Sequence, residues 1–336
     1  MDIDQIKTIM KGLAEPQLRE THISWVLLSG DKAYKIKKPV KFSFLDFSTL
    51  EKRKAACEDE VRLNRRLAPD VYLGVVAITR EGKDGALRIG GDGSRPGFGG
   101  SGETVDFAVE MVRLDENRMM GRLLGRNEVT RGNVEELARI IADFHSRIER
   151  MKAKDGYNSP EMVREHIADL GAHRAAIDKA AGMGKIVDLV LERSEKFIKK
   201  NEGVLLRRLA DGYVRECHGD LHSGNIFIED GGRIHVIDCI EFSKDFRRVD
   251  VISEIAFMAM DLDAHDREDL AKAFIDAYQS KAKDPELGIL LPFYKCYRAN
   301  VRAKIAAIEF AGSGSGEAAG RIKRYMLLAE RYAKML

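Results

Sequence analysis

The stretch HGDLHSGNIFI, His218 to Ile228, sets a carboxylate and a carboxamide, Asp220 and Asn225, five residues apart. Gly219 and Gly224 punctuate the segment, and an apolar run of strand character follows it. A second apolar run, IHVID, ends in Asp238 after the turn Asp230-Gly231-Gly232-Arg233. Two short strands joined by such a turn read as a hairpin, which would set Asp220 and Asp238 at neighbouring points around it. Aspartate and asparagine oxygens are hard ligands of the kind Mg2+ takes. Phosphoryl transfer from a nucleotide needs such ligands, a carboxylate at the acceptor hydroxyl and a cation on the phosphates, and little covalent chemistry besides. His218 and His222 also form H-x-x-x-H, the spacing of two zinc ligands on one helix face. The two glycines and the following strand favour a loop instead, and no third ligand is obvious.

HGDLHSGN followed by VIDCIEF resembles the aminoglycoside-phosphotransferase/choline-kinase branch of the protein-kinase-like fold, in which HGDxxxxN and a later ID segment carry the chemistry. The resemblance implies an α+β, two-lobed fold. Residues 1–112 would form a small antiparallel β-sheet N-lobe with one helix, and residues 113–336 a larger, mostly helical C-lobe. The implied activity moves the γ-phosphoryl group of ATP, or of GTP, to a hydroxyl on a small molecule with Mg2+ as cofactor.

Carried over by position, the resemblance makes Asp220 the catalytic carboxylate, with His218 holding the catalytic loop by hydrogen bonds. It makes Asn225 and Asp238 the Mg2+ ligands. Lys35, in AYKIK, becomes the phosphate lysine, with Lys37 on the same strand face as the alternative. Glu60 becomes the partner of that lysine, with Glu58 and Asp59 competing; the spacing Glu60–Leu63–Leu67 places Glu60 beside the core-facing stripe of its helix. VEMVRL matches the connector between lobes, whose backbone around Glu110, Met111 and Val112 would pair with the adenine edge. Asp250, in FRRVDVISEIA, would brace the catalytic loop, and Glu241 would brace the metal or loop geometry. An acidic stretch, Asp261, Asp263, Asp266, Glu268 and Asp269, would suit a polycationic acceptor or serve as a helix N-terminus.

The N-terminal part is also similar to an uncharacterised bacterial and archaeal subgroup of that family, some of whose members carry a fused P-loop kinase domain. No G-x-x-x-x-G-K-[ST] occurs in these 336 residues. The phosphate-covering glycines are replaced by Arg19-Glu20-Thr21-His22, leaving only Gly30 in the hairpin turn, and FSFLDFST lengthens the lysine-to-glutamate connection. The missing glycines leave room for a nucleotide-binding pseudokinase or regulatory protein. A protein kinase is disfavoured, because no A-P-E or long activation segment lies between Asp238 and Asp250.

These residues need positioning. HISWVLL and KAYKIKK flank Ser29-Gly30-Asp31 as a hairpin, and Asp2 to Glu20 has a weak helical period. A helix capped by Ser48 or Thr49 runs to about Ala68-Pro69. VYLGVVAITR and VDFAVEMVRL read as strands on either side of a glycine-rich hairpin tip at 90–102. From Asn117 onward helices dominate, interrupted only by NIFIE and IHVID. A sheet-rich lobe on a helical one leaves a cleft where ligands commonly bind.

Composition excludes several classes. The 44% hydrophobic and 33% charged content is that of a globular protein. Lys+Arg 56 against Asp+Glu 54 is too balanced for bulk nucleic-acid or membrane binding. No apolar run approaches the about 20 residues that span a bilayer, and the first residues lack a secretory signal. Cys57, Cys217, Cys239 and Cys296 have no C-x-x-C spacing and read as buried small hydrophobes in a reducing compartment. The expectation is a cytoplasmic enzyme.

Overall fold

The computed structural model describes residues 1–42, 45–80, 82, 85–90 and 102–336. It divides into two compact units, Met1–Arg118 with His235–Lys244, and Met119–Ile234 with Asp245–Leu336. Against the single boundary expected at 112/113, the chain therefore changes unit three times.

In the first unit, α1 (Ile3–Met10) starts at a reciprocal cap in which Asp2 accepts from the N–H groups of Asp4 and Gln5. The helical period read out to Glu20 stops at Met10. Pro16 has no N–H to donate, Glu15 before it adopts φ 42°, and β1 (Gln17–Glu20) begins directly after. β2 (Ser24–Ser29) and β3 (Lys32–Lys37) form the expected hairpin, with Gly30 at φ 56° in the first turn position. In the aromatic loop, β4 (Lys41–Phe42) and β5 (Leu45–Asp46) make a two-stranded ribbon. Thr49 accepts the Lys52 N–H to cap α2 (Leu50–Asn64).

β6 (Tyr72–Arg80), β7 (Leu87–Ile89) and β8 (Glu103–Val112) complete a six-stranded antiparallel sheet in the order β1-β2-β3-β8-β6-β7. Most of the glycine-rich tip at 90–102 lies outside the described residues. Strand alternation gives the sheet two apolar faces. Leu28, Ala33, Val109 and Met111 pack against Cys57 and Val61 of α2. Trp25, Leu27, Ile36 and Ala108 meet Ile6 and Ile9, so α1 joins the one expected helix on the opposite face. On β3, Lys35 and Lys37 share the parity of Ala33, which directs both towards α2.

The second unit begins with α3 (Met120–Gly125), α4 (Arg131–Arg147), α5 (Pro160–Ala168), α6 (Arg174–Ala181) and α7 (Gly184–Ala210). β9 (Val214–Glu216) leads into the HGDLHSGN loop and β10 (Ile226–Ile228) leaves it, followed by β11 (Ile234–Val236). Glu229 N–H on Arg233 O closes the expected turn between β10 and β11. After α8 (Lys244–Arg247), β12 (Arg248–Asp250) pairs antiparallel with β9, Asp250 opposite Val214. This pair was not legible: three residues per strand show no periodicity. α9 (Val251–Ala264), buried along its whole length, α10 (Glu268–Ala282), α11 (Leu287–Ser313) and α12 (Gly316–Ala333) complete the unit. Phe257 and Met260 of α9 pack on Ala299 and Ala303 of α11 and Met326 and Ala329 of α12. All four cysteines are buried and free. Among the described residues no helix is long and apolar enough to cross a membrane.

Candidate active site

The HGDLHSGN loop is held from behind by backbone contacts. Cys217 N–H donates to Arg247 O at 2.8 Å. The next two N–H groups, of His218 and Gly219, converge on Glu254 Oε1, each at 2.7 Å. Gly219 has φ 89°, and a Cβ there would sit 2.8 Å from Phe246 O, so only glycine fits without displacing backbone. Its carbonyl accepts from Arg298 Nη1 at 3.1 Å, while Arg298 Nε donates to Ser253 O at 3.1 Å.

Glu254 also receives His145 Nε2 at 2.7 Å, and His145 Nδ1 meets the Tyr278 hydroxyl at 2.8 Å. Burial raises the pKa of Glu254, but the His145 contact, with His218 and the Gly219 N–H, outweighs it and brings the pKa to about 2. His145, Cys217 and Glu254 lie close enough to suggest a metal centre. Both ring nitrogens of His145 are already engaged, so the trio reads as a hydrogen-bonded brace.

At the loop's front, Asp220 is 34% exposed. Asn225 Nδ2 donates to both Asp220 O and Oδ2 at 3.0 Å, and His222 Nε2 stands 3.4 Å from the same Oδ2. Asp220 N–H donates to His218 Nδ1 at 3.3 Å, the loop-holding bond expected of that histidine. Desolvation works against the Asp220 charge; His222, Arg302 and His218 outweigh it and hold its pKa below the ordinary carboxylate range. His222 Nδ1 accepts from Gly224 N–H at 3.1 Å. The H-x-x-x-H pair thus lies in a loop, as its glycines suggest.

The first unit carries the cationic part. Lys37 is fully buried and bonded to both Glu60 and Glu241. Lys35 lies 2.9 Å from Glu60 Oε1, an ionic contact outside hydrogen-bonding direction, and hydrogen-bonds Asp238. Burial alone would lower both lysine pKa values, but the surrounding carboxylates raise them above the usual range. Glu60 is desolvated too, and the two ammonium groups hold its pKa low. Burial pushes Glu241 the other way, upward.

Asp238 is 47% exposed and adopts φ 63°, unusual for a residue other than glycine. Its N–H is held by Tyr72 Oη at 3.1 Å, and the next N–H, of Cys239, by Asn64 Oδ1 at 2.8 Å. Asn64 Nδ2 in turn donates to Glu60 O at 2.9 Å. Glu60 is therefore the acid beside the lysines, while Asp59 pairs with Arg62 and Glu58 lies near Lys54.

Two expectations need correction. Glu110, Met111 and Val112 belong to β8, paired on both sides by β3 and β6, with Val112 N–H on Val71 O and Arg113 N–H on Asp31 O. A backbone already committed to a sheet is a poor partner for a base edge, and the Glu110 carboxylate is taken by Lys32 at 2.6 Å. Asp250 does not brace the loop. It caps α9 through Ile252 N–H and receives Arg208, which also holds Asp284. Glu254, one turn later, is the brace, and no local signal in the sequence marks it. The acidic stretch serves as the helix N-terminus rather than as an open acidic cluster: Glu268 and Asp269 stand in the first turn of α10, Asp261 accepts Ser223 N–H at 2.8 Å, Asp263 meets Arg331 at 3.0 Å and Lys295 at 2.5 Å, Glu268 meets Arg331, Asp269 meets Arg267 at 2.9 Å, and Asp266 is exposed.

Residues 47–289 match the model of the phosphotransferase enzyme family known as APH, and the chain belongs to that family. An uncharacterized protein of Mycobacterium tuberculosis (strain H37Rv) and one of Mycobacterium bovis are 32% identical to it over 319 residues, 94% of this chain. The chain spans 59% of the length of these curated relatives. Plasmodium vivax ethanolamine kinase has a similar structure, with TM-score 0.53 and 12% identity over 95% of this chain and 81% of that one. So does a thermostable mutant of aminoglycoside phosphotransferase APH(4)-Ia in complex with AMP-PNP and hygromycin B, with TM-score 0.53 and 12% identity over 97% and 99% of the two chains. The GDP complex of aminoglycoside 2'-phosphotransferase-IIIa matches with TM-score 0.50 and 12% identity over 99% and 98%. These likenesses define the fold: α+β and protein-kinase-like.

Proposed function

We propose that this protein transfers the γ-phosphoryl group of ATP or GTP to a hydroxyl group of a small molecule. The observation that carries the reading is Asp220, an ionised and accessible carboxylate whose Oδ2 is occupied by Asn225 and His222. Oδ1 is then the atom that orients the acceptor hydroxyl and takes its proton as the oxygen–phosphorus bond forms and the bond to the nucleoside diphosphate breaks. His218 supports this by holding the Asp220 backbone.

Lys35 is the phosphate lysine, because Lys37 is enclosed by Glu60 and Glu241. Asn225, with Nδ2 committed to Asp220, offers Oδ1 to Mg2+, and Asp238 offers its half-exposed carboxylate. The donor set fits a hard cation, and around Lys35 and Lys37 two ammonium groups face three carboxylates, Glu60, Glu241 and Asp238. When bound, the metal offsets charge on the phosphates. With Val112 and Arg113 committed, the adenine or guanine edge is assigned to the following backbone at Leu114.

ADP release from Mg-ATP in the presence of a library of hydroxyl compounds tests the reading. Acceptor-dependent release that vanishes in Asp220→Ala, with nucleotide affinity retained, is expected. Unchanged turnover in that variant ends the assignment. Nucleotide binding without release for any acceptor favours the second reading, a regulatory nucleotide-binding protein, which the Arg19-Glu20-Thr21-His22 sequence in place of glycines supports.

A further inference from the structure

We infer that the acceptor carries an oxyanion group, phosphate or carboxylate, and that Arg302 binds it. The inference deepens the phosphotransferase reading and rests on it for the position of the acceptor beside Asp220. Arg302 lies on α11 one turn after Arg298, and residues four apart share a helix face. Arg298 fixes the direction of that face, since its Nη1 donates to the Gly219 carbonyl at 3.1 Å, next to Asp220.

Arg302 is half-buried, and among the described residues its one hydrogen bond is a long one, Nε to Tyr325 Oη at 3.4 Å. A guanidinium has five donors in a planar fork that matches carboxylate and phosphate oxygens. Most of that capacity is unspent. Asp261 has its Oδ2 committed to the Ser223 N–H.

The alternative, a polycationic acceptor, needs open carboxylates. Of the five acids in the run that would supply them, Asp261, Asp263, Glu268 and Asp269 are tied to Ser223, Lys295, Arg331 and Arg267, which leaves the exposed Asp266. His222 and Asn225 spend their donors on Asp220 itself, which leaves Arg302, on the helix face that meets the loop through Arg298, as the cation with donors to spare for an anion.

Calorimetric titration of the full chain with matched probes tests this without requiring turnover. The pairs are glycerol 3-phosphate against glycerol, glucose 6-phosphate against glucose, and gluconate against sorbitol, with hygromycin B as the polycation. In at least one pair the anionic member should bind at least about tenfold more tightly, a difference of about 1.4 kcal/mol. Arg302→Met should abolish that difference, Arg302→Lys should restore part of it, and nucleotide affinity should stay unchanged in both. The phosphate and carboxylate pairs separate the two anion sources. Equal binding within every pair, an anion preference that survives Arg302→Met, or tightest binding of hygromycin B overturns the inference. An Arg302-dependent preference without phosphoryl transfer to any bound probe counts against the phosphotransferase reading instead.

Discussion

Glu254 Oε1 receives two consecutive N–H groups of the HGDLHSGN loop and Oε2 receives His145, so one buried carboxylate fixes the backbone that carries Asp220. Its pKa is depressed from 4.5 to about 2, so its contribution to stability is complete above pH 4.5 and is lost as pH falls towards 2. That interval corresponds to about 3 kcal/mol at 1.36 kcal/mol per pH unit. Urea midpoints measured between pH 7 and pH 3 should therefore drop less steeply in Glu254→Gln than in the wild type. An equal slope would mean that another carboxylate governs the acid limb. Replacing Asp220 by alanine or asparagine should lower turnover by at least about 10²–10⁴-fold, the usual share of a general base, with little change in nucleotide affinity by fluorescence titration. Asp220, Asn225 and Asp238 stand out as candidates in the sequence because their signal is local, a fixed spacing within a loop and its hairpin. Glu254 does not, since its role depends on a helix 36 residues away folding back onto the loop.

At the scale of elements, strand alternation put Lys35 and Lys37 on one face of β3 but could not rank them. Burial does: Lys37 is 0% exposed between two glutamates, and Lys35 is 13% exposed beside Asp238. Removing one partner of a buried ion pair leaves uncompensated charge and typically costs about 3–5 kcal/mol. Lys37→Met should accordingly lower the denaturant midpoint sharply, while Lys35→Met should chiefly weaken Mg-ATP binding with a smaller change in stability. The reverse order would exchange their roles. Gly219→Ala should be disproportionately damaging for the addition of one methyl group, because φ 89° and the Phe246 carbonyl at 2.8 Å oppose it together. Thermal melts and turnover should both fall. The N-terminal helix, the β2–β3 hairpin and the Thr49-capped helix were readable from caps, turns and periodicity. The β9–β12 pair exists because tertiary contacts impose it on short segments flanking the loop, and no sequence window contains that information.

For the whole molecule, a ligand that binds only the folded state adds RT ln(1 + [L]/Kd), about 4 kcal/mol at a thousandfold excess over Kd. Mg-ATP should raise the melting temperature of the wild type, and Asp238→Ala should remove most of that rise without lowering the melting temperature of the nucleotide-free protein to the same degree. A shift that survives in the variant would exclude Asp238 from the metal site. A split between a sheet-rich and a helical part was apparent from composition along the chain, but the return of residues 235–244 to the first unit was not. Asp238 and Glu241 reach their lysines only after more than a hundred residues of the other unit have intervened. This has a consequence for synthesis on the ribosome. The leading 118 residues emerge long before their last segment does, and Lys37 then has only Glu60 of its two acidic partners to bond. The first unit cannot be completed in order of translation. It must wait until residue 244 has left the exit tunnel: the sheet itself is complete by Val112, but until then Lys35 and Lys37 stand beside Glu60 without Asp238 and Glu241, and that cluster is the last part of the first unit to close.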